Sequence, residues 1–122
     1  MEISVLKIIN DEMKNLGLNY EYGEFTGTLA YPYGVGEYSE NNFIYEDCSS
    51  GGEIILTFFN RGNEANLIKI KELIKNKFRD YKIKANGGTV YISYKSKLFL
   101  RSGEADLKKM EIYLDVKYWE GS

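Results

Sequence analysis

Glu53-Ile54-Ile55-Leu56-Thr57-Phe58-Phe59-Asn60, broken by Arg61-Gly62 and followed by Asn63 to Phe78, is the stretch that decides the fold. The first eight residues are short, apolar and rich in Ile, Thr and Phe, the pattern of a strand buried on both faces. Asn63 then offers a side-chain oxygen as helix N-cap, with Glu64 in the first turn where the helix dipole favours negative charge. Leu67, Ile70, Ile74 and Phe78 recur at spacings of three and four, with Ile68 and Leu73 alongside, which predicts a helix of about four turns with one apolar stripe. Lys69, Lys71, Lys75, Lys77 and Arg79 fall on its polar side. The unit reads as a central strand feeding a helix that lies back on the sheet.

Outward from this unit, the N-terminal flank begins with an amphipathic helix over residues 2–16. Val5, Leu6, Ile9, Met13 and Leu16 set its stripe, and Gly17 stands where a glycine stops a helix. Tyr20-Glu21-Tyr22 and Phe25 suggest a short strand. Leu29 to Tyr38 suggests a second, on an edge or at a strand start because Pro32 cannot donate to a ladder. Gly34 and Gly36 leave one of its faces nearly bare, as at a bulge or a close backbone approach. Ser39 to Gly52 is polar, acidic and glycine-terminated, and is expected to be an exposed mobile loop or a long hairpin.

On the C-terminal flank, Tyr81 to Ala85 is a short strand and Asn86-Gly87-Gly88 a tight turn. Thr89 to Arg101 alternates, with Val90, Ile92, Tyr94, Leu98 and Leu100 expected on one face and Lys95, Lys97 and Arg101 on the other. Leu107 to Trp119 alternates most cleanly: Met110, Ile112, Leu114, Val116 and Tyr118 against Lys109, Glu111, Tyr113, Asp115, Lys117 and Trp119. The expected fold is α+β, a single mixed, mostly antiparallel sheet with two main helices packed on one face. At 122 residues the chain is expected to form one domain, residues 1–122, with a core large enough to need no metal or disulfide.

Composition narrows the chemistry. There is no histidine, which removes the commonest general base and metal ligand, and the single Cys48 cannot form an intrachain disulfide. Glu46-Asp47 lacks the spacing of a calcium loop, and Asp47 beside Cys48 would raise the thiol pKa, the wrong direction for a nucleophile. Gly34-Val35-Gly36 and Ser50-Gly51-Gly52 match no phosphate-binding spacing. No convergent acid, base and nucleophile set is visible, so no enzyme activity, cofactor or metal is expected. No apolar run approaches a membrane span and no signal peptide is evident, so no membrane partner is expected. Eleven tyrosines have two readings, a Tyr-rich β surface or a protein interface.

The net charge of −2 hides an asymmetry. Residues 1–53 carry ten acids and two lysines, a balance of −8, while residues 54–122 carry fourteen bases and eight acids, a balance of +6. The split is either drift across one globule or the mark of a self-complementary, head-to-tail surface. The basic helix face reads as a solvated surface, one that meets acids of a neighbouring subunit, or a phosphate contact. The candidate subunit interface pairs Glu37, Glu40, Glu46 and Asp47 with Lys69, Lys71, Lys75 and Lys77.

As an ordered set, several segments resemble small tail-completion, or tail-terminator, proteins of long-tailed bacteriophages and prophages. They are a first helix ending Leu16-Gly17-Leu18, the stretch Ala30-Tyr31-Pro32-Tyr33-Gly34-Val35-Gly36-Glu37-Tyr38, and the acidic segment around Glu46-Asp47. Phe59-Asn60-Arg61-Gly62 before a helix, Gly103 to Met110 and Val116-Lys117-Tyr118-Trp119 complete the set. Other head–tail connector and minor capsid proteins share this size and element order. The resemblance implies a structural role in the virion. A ring, commonly a hexamer, caps the tail tube, meets the tail-tube protein and the head connector, and lets DNA through its lumen. It also implies synthesis in the host cytoplasm. From the residues alone, a cytoplasmic protein-binding module using the Tyr-rich sheet, or a nucleic-acid binder using the basic helix, stays open.

Overall fold

The computed structural model describes residues 2–23, 31–44, 50–62, 64–85, 87–101 and 106–120. Among these residues two helices, α1 (Glu2–Asn15) and α2 (Ala65–Lys77), accompany six strands: β1 (Tyr20–Tyr22), β2 (Tyr33–Ile44), β3 (Ser50–Arg61), β4 (Tyr81–Ala85), β5 (Gly88–Arg101) and β6 (Leu107–Glu120). The strands form one sheet in the order β1-β2-β3-β6-β5-β4. Among the described residues only the β1–β2 pair is parallel, and the other pairs are antiparallel. The fold is therefore the expected α+β arrangement, with a curled mixed sheet.

The helices form where the apolar stripes predicted them. Val5, Ile8, Ile9 and Met13 of α1 and Leu67, Ile70 and Ile74 of α2, with Phe78 just beyond, are buried on the sheet. Burying each such side chain contributes about 1.5–3 kcal/mol. Gly17 ends α1 at φ +75°, and the Leu18 N–H donates to the Met13 carbonyl across the turn at 3.0 Å, the closing bond of a Schellman cap. At the start of α2 the capping position is Glu64, in helical backbone and without a side-chain cap bond; the expected cap, Asn63, lies outside the described residues. Ile68 and Leu73 are more than two-fifths exposed, so the stripe of α2 is narrower than its sequence suggests.

The expectation that Glu53–Asn60 is buried on both faces is corrected. Ile54, Leu56, Phe58 and Asn60 are buried, while Glu53, Ile55, Thr57 and Phe59 are half-buried, because both helices pack on the same side of the sheet. β3 is also longer than that run. It pairs residue for residue with β6 from Ser50↔Tyr118 to Arg61↔Leu107, and with β2 from Tyr33↔Phe59 to Glu40↔Gly52 and at Ile44↔Ser50. Ser39 to Gly52 is thus largely strand, the hairpin alternative to a loop; residues 45–49 lie outside the described part. Backbone pairing on both sides of β3 outweighs the poor strand propensity of Gly51 and Gly52. A Cβ at Gly52 would come within 2.5 Å of the Ser39 carbonyl oxygen.

A second correction concerns β5. Its pairing with β6 slips between Tyr94 and Ser96, a bulge at Lys95. Before it, Val90, Ile92 and Tyr94 sit opposite Tyr118, Val116 and Leu114 on the helix side. After it, Lys97 and Phe99 pair with Ile112 and Met110, while Leu98 and Leu100 pair with Glu111 and Lys109. The inserted residue moves both leucines to the face without helices, because side chains alternate with a period of two.

Candidate functional site

That second face is the most unusual surface of the molecule. Its side chains lie in rows across four strands: Tyr33, Phe59, Lys109 and Leu100; then Val35, Thr57, Glu111 and Leu98; then Glu37, Ile55, Tyr113 and Ser96. Beyond these comes a charged row in which the Lys95 ammonium lies 3.2 Å from Glu53 and 3.9 Å from Asp115. At the opposite end, Tyr33 stacks on Phe59 with ring centres 5.1 Å apart, and Tyr31 leans on Tyr33 at 5.4 Å. Arg61 lies over the Tyr31 ring and Lys109 over Phe59. Cations over ring faces are attracted to them by about 0.5–1 kcal/mol at exposed sites. A sheet face left to water ordinarily alternates to polar residues; this one carries Val35, Ile55, Phe59, Leu98 and Tyr113.

The helix side is held by a buried polar node. Glu12 is almost fully buried and accepts hydrogen bonds from Tyr81 Oη at 2.6 Å and Asn15 Nδ2 at 3.0 Å, with Lys77 Nζ at 3.3 Å. Burial pushes the Glu12 carboxyl up, but the bonds from Tyr81, Asn15 and Lys77 outweigh it and hold the group below its usual range. Burial and the bond to Glu12 push the Tyr81 hydroxyl up, so it donates. The node ties α1 to the end of α2 and to β4. Nothing in the sequence pattern marked it, since Glu12 falls inside an apolar stripe.

The predicted interface residues divide accordingly. Glu37 is exposed on the helix-free face of β2. Glu40 lies in β2, but its side chain is outside the described part, as are Glu46 and Asp47. On α2, Lys69 is exposed, Lys71 is paired with Glu72, Lys75 lies over the Tyr94 ring at 5.8 Å, and Lys77 joins the Glu12 node. The hydrogen bond from Lys71 raises its own pKa and lowers that of Glu72. Within one chain Glu37 of β2 and the lysines of α2 therefore stand on opposite faces of the sheet. Three of the four lysines already have neighbours within their own chain.

Among the described residues, no three His, Cys, Asp or Glu side chains group to hold a metal ion. No buried side-chain nitrogen or oxygen there lacks a hydrogen-bond partner. No described helix is long and apolar enough to cross a membrane. The chain matches no protein-family model and no curated protein sequence.

Proposed function

We propose that this chain is a structural subunit of virion assembly, of the tail-terminator kind that its sequence resembles, working as a ring that caps a tail tube and receives the head connector. The observation that carries the reading is the helix-free sheet face, with Tyr33, Val35, Ile55, Phe59, Leu98 and Tyr113 on one continuous surface. A broad aromatic–aliphatic surface edged by charge suits a protein partner. The proposed occupant is the tail-tube protein. DNA is a passenger of the lumen and makes no specific contact.

The test is co-expression with the cognate tail-tube protein, followed by electron microscopy. Tubes of uniform length ending in a ring are expected. Val35→Asp with Tyr113→Asp, two half-buried positions on this face, is expected to leave the fold intact and abolish capping. Tubes of unregulated length beside a monomeric wild type would sink the reading, as would normal capping by the double variant.

A further inference from the structure

The sheet ends in two unequal steps. On one edge β1 pairs only with Gly34–Gly36 of β2, and among the described residues no strand adds to Ser39–Ile44. On the other edge β4 pairs with Gly88–Ile92 of β5, the Tyr94 N–H donates to the Phe78 carbonyl, and no described strand adds to Ser96–Arg101. The open part of β2 lies toward the end of the sheet where Ile44, Ser50, Tyr118 and Val90 are level. The open part of β5 lies toward the other end, where Tyr33, Phe59, Lys109 and Leu100 are level. Open edges are templates for another strand, and the edge of β2 is regular at Ser39 and Glu40 before its register with β3 shifts between Glu40 and Ile44.

We propose that copies of this chain join head to tail by sheet extension, the open part of β2 in one copy pairing antiparallel with the open part of β5 in the next. This deepens the assembly reading and rests on it for its partner, a second copy.

Three observations point the same way. The first is direction. β2 and β5 run oppositely within one chain, so a rotation about an axis near the strand direction brings them together antiparallel. The second is shape. Traced through the pairing onto β6, the two open segments are centred about six residues apart, an offset of about 20 Å along the strands. With the neighbour displaced by that offset, its β2 ends near the level of Ile112. That is short of β4, whose lower end, Tyr81, is level with Val116. Its β1 then falls beyond Arg101, the last residue of β5. The step filled by β1 and the step filled by β4 interlock. The joint repeats every four strands, about 19 Å, so the offset tilts the strands by about 45° to the assembly axis, close to the tilt of closed barrels.

The third observation is charge. Ser39–Ile44 holds Glu40 and no base, whereas Ser96–Arg101 holds Lys97 and Arg101 and no acid. Opposite charge on the two edges favours the unlike pairing, and like charge disfavours joining two copies of one edge.

Disulfide trapping tests the joint. In a Cys48→Ser background, Ser39→Cys is combined with Leu98→Cys or with Leu100→Cys. All three positions lie on the helix-free face, so a paired joint brings a combination within bonding distance. Within one chain β3 and β6 separate β2 from β5 by about 14 Å, beyond the ~7 Å limit. Mild oxidation is expected to give a ladder of linked subunits. Ser39→Cys with Thr89→Cys, opposite the part of β5 that β4 covers, is expected to give none. The single variants are expected to link only when mixed.

Links between two Ser39→Cys chains alone, or between two Leu98→Cys chains alone, overturn the proposal in favour of a two-fold dimer. A folded double variant that stays unlinked at about millimolar concentration also overturns it. Capped tubes without these links would remove the edge joint and leave the assembly role. Linked ladders without capped tubes would do the reverse.

Discussion

Gly34 shows how one absent side chain shapes the core. A Cβ there would lie 2.4 Å from the Phe58 ring, and one at Gly36 would lie 2.1 Å from the Tyr20 hydroxyl. The two glycines of β2 are seats for aromatic rings from β3 and β1, rather than the bulge or close backbone approach that their bare face suggested. Gly34→Ala is expected to cost about 1–3 kcal/mol in urea unfolding, since the wholly buried Phe58 has no room to retreat. Phe58→Leu in the same chain should recover part of that loss. Glu12 makes a different kind of residue-scale argument. Its carboxyl is held below its usual pKa when folded, so its stabilisation is complete above the unfolded value of about 4.3 and is lost as pH falls through the folded value. Glu12→Gln is expected to destabilise by about 1–2 kcal/mol at pH 7. The gap between wild type and variant should narrow in thermal unfolding as pH falls below about 4.3. A gap that stays constant with pH would show that Glu12 is not ionised in the fold.

Among the elements, β5 is where reading the sequence as plain alternation breaks. The bulge at Lys95 leaves Leu98 47 % exposed and sets Phe99 opposite Met110 on the helix side, packed against the core. Leu98→Ser is therefore expected to change stability by less than about 0.5 kcal/mol, while Phe99→Ala should cost about 1–2 kcal/mol, roughly half the fully buried range. Plain alternation demands the opposite order, and chemical denaturation of the pair decides. β6 was legible residue by residue, because it lies between β3 and β5 with one face buried and its alternation is never interrupted. α2 was legible for a similar reason, its stripe of Leu67, Ile70, Ile74 and Phe78 being set by one packing surface. The bulge left no mark, since Tyr94-Lys95-Ser96 contains no glycine and the residues beyond it alternate as well in one register as in the other. The far half of β2 was hidden differently: Ser39-Glu40-Asn41-Asn42 has loop composition, and only its partner strand makes it extended. The acidic and basic interface candidates were visible as charges. That Lys71 and Lys77 would be engaged by Glu72 and Glu12 depended on contacts of one and sixty-five residues' separation, the longer of which no local pattern carries.

In the whole molecule, the charge split along the chain becomes a split across the sheet. Glu21 and Glu37 of β1 and β2 lie toward one edge of the sheet, and Lys82, Lys84 and Lys97 of β4 and β5 toward the other. In a head-to-tail assembly the two edges meet at every joint. Lys75 lies over Tyr94 on β5, with Lys71 near the same ring, and Tyr94 directly precedes the bulge where the open edge begins. Lys71 and Lys75 therefore flank the joint, even though Lys71 has a partner in its own chain. Reversing Lys71 and Lys75 together to Glu is expected to weaken self-association about tenfold at ionic strength near 0.02 M, where the screening length exceeds about 20 Å. The effect should fade to about twofold or less near 0.5 M, where screening leaves only direct contacts. Sedimentation velocity across a concentration series at both salts measures this. A loss that persists at high salt would mean that the reversal damaged packing around Tyr94 rather than the field across the joint. Unchanged association at low salt, in a wild type that does associate, would remove the helix face from the joint and leave attraction between subunits to the strand edges alone.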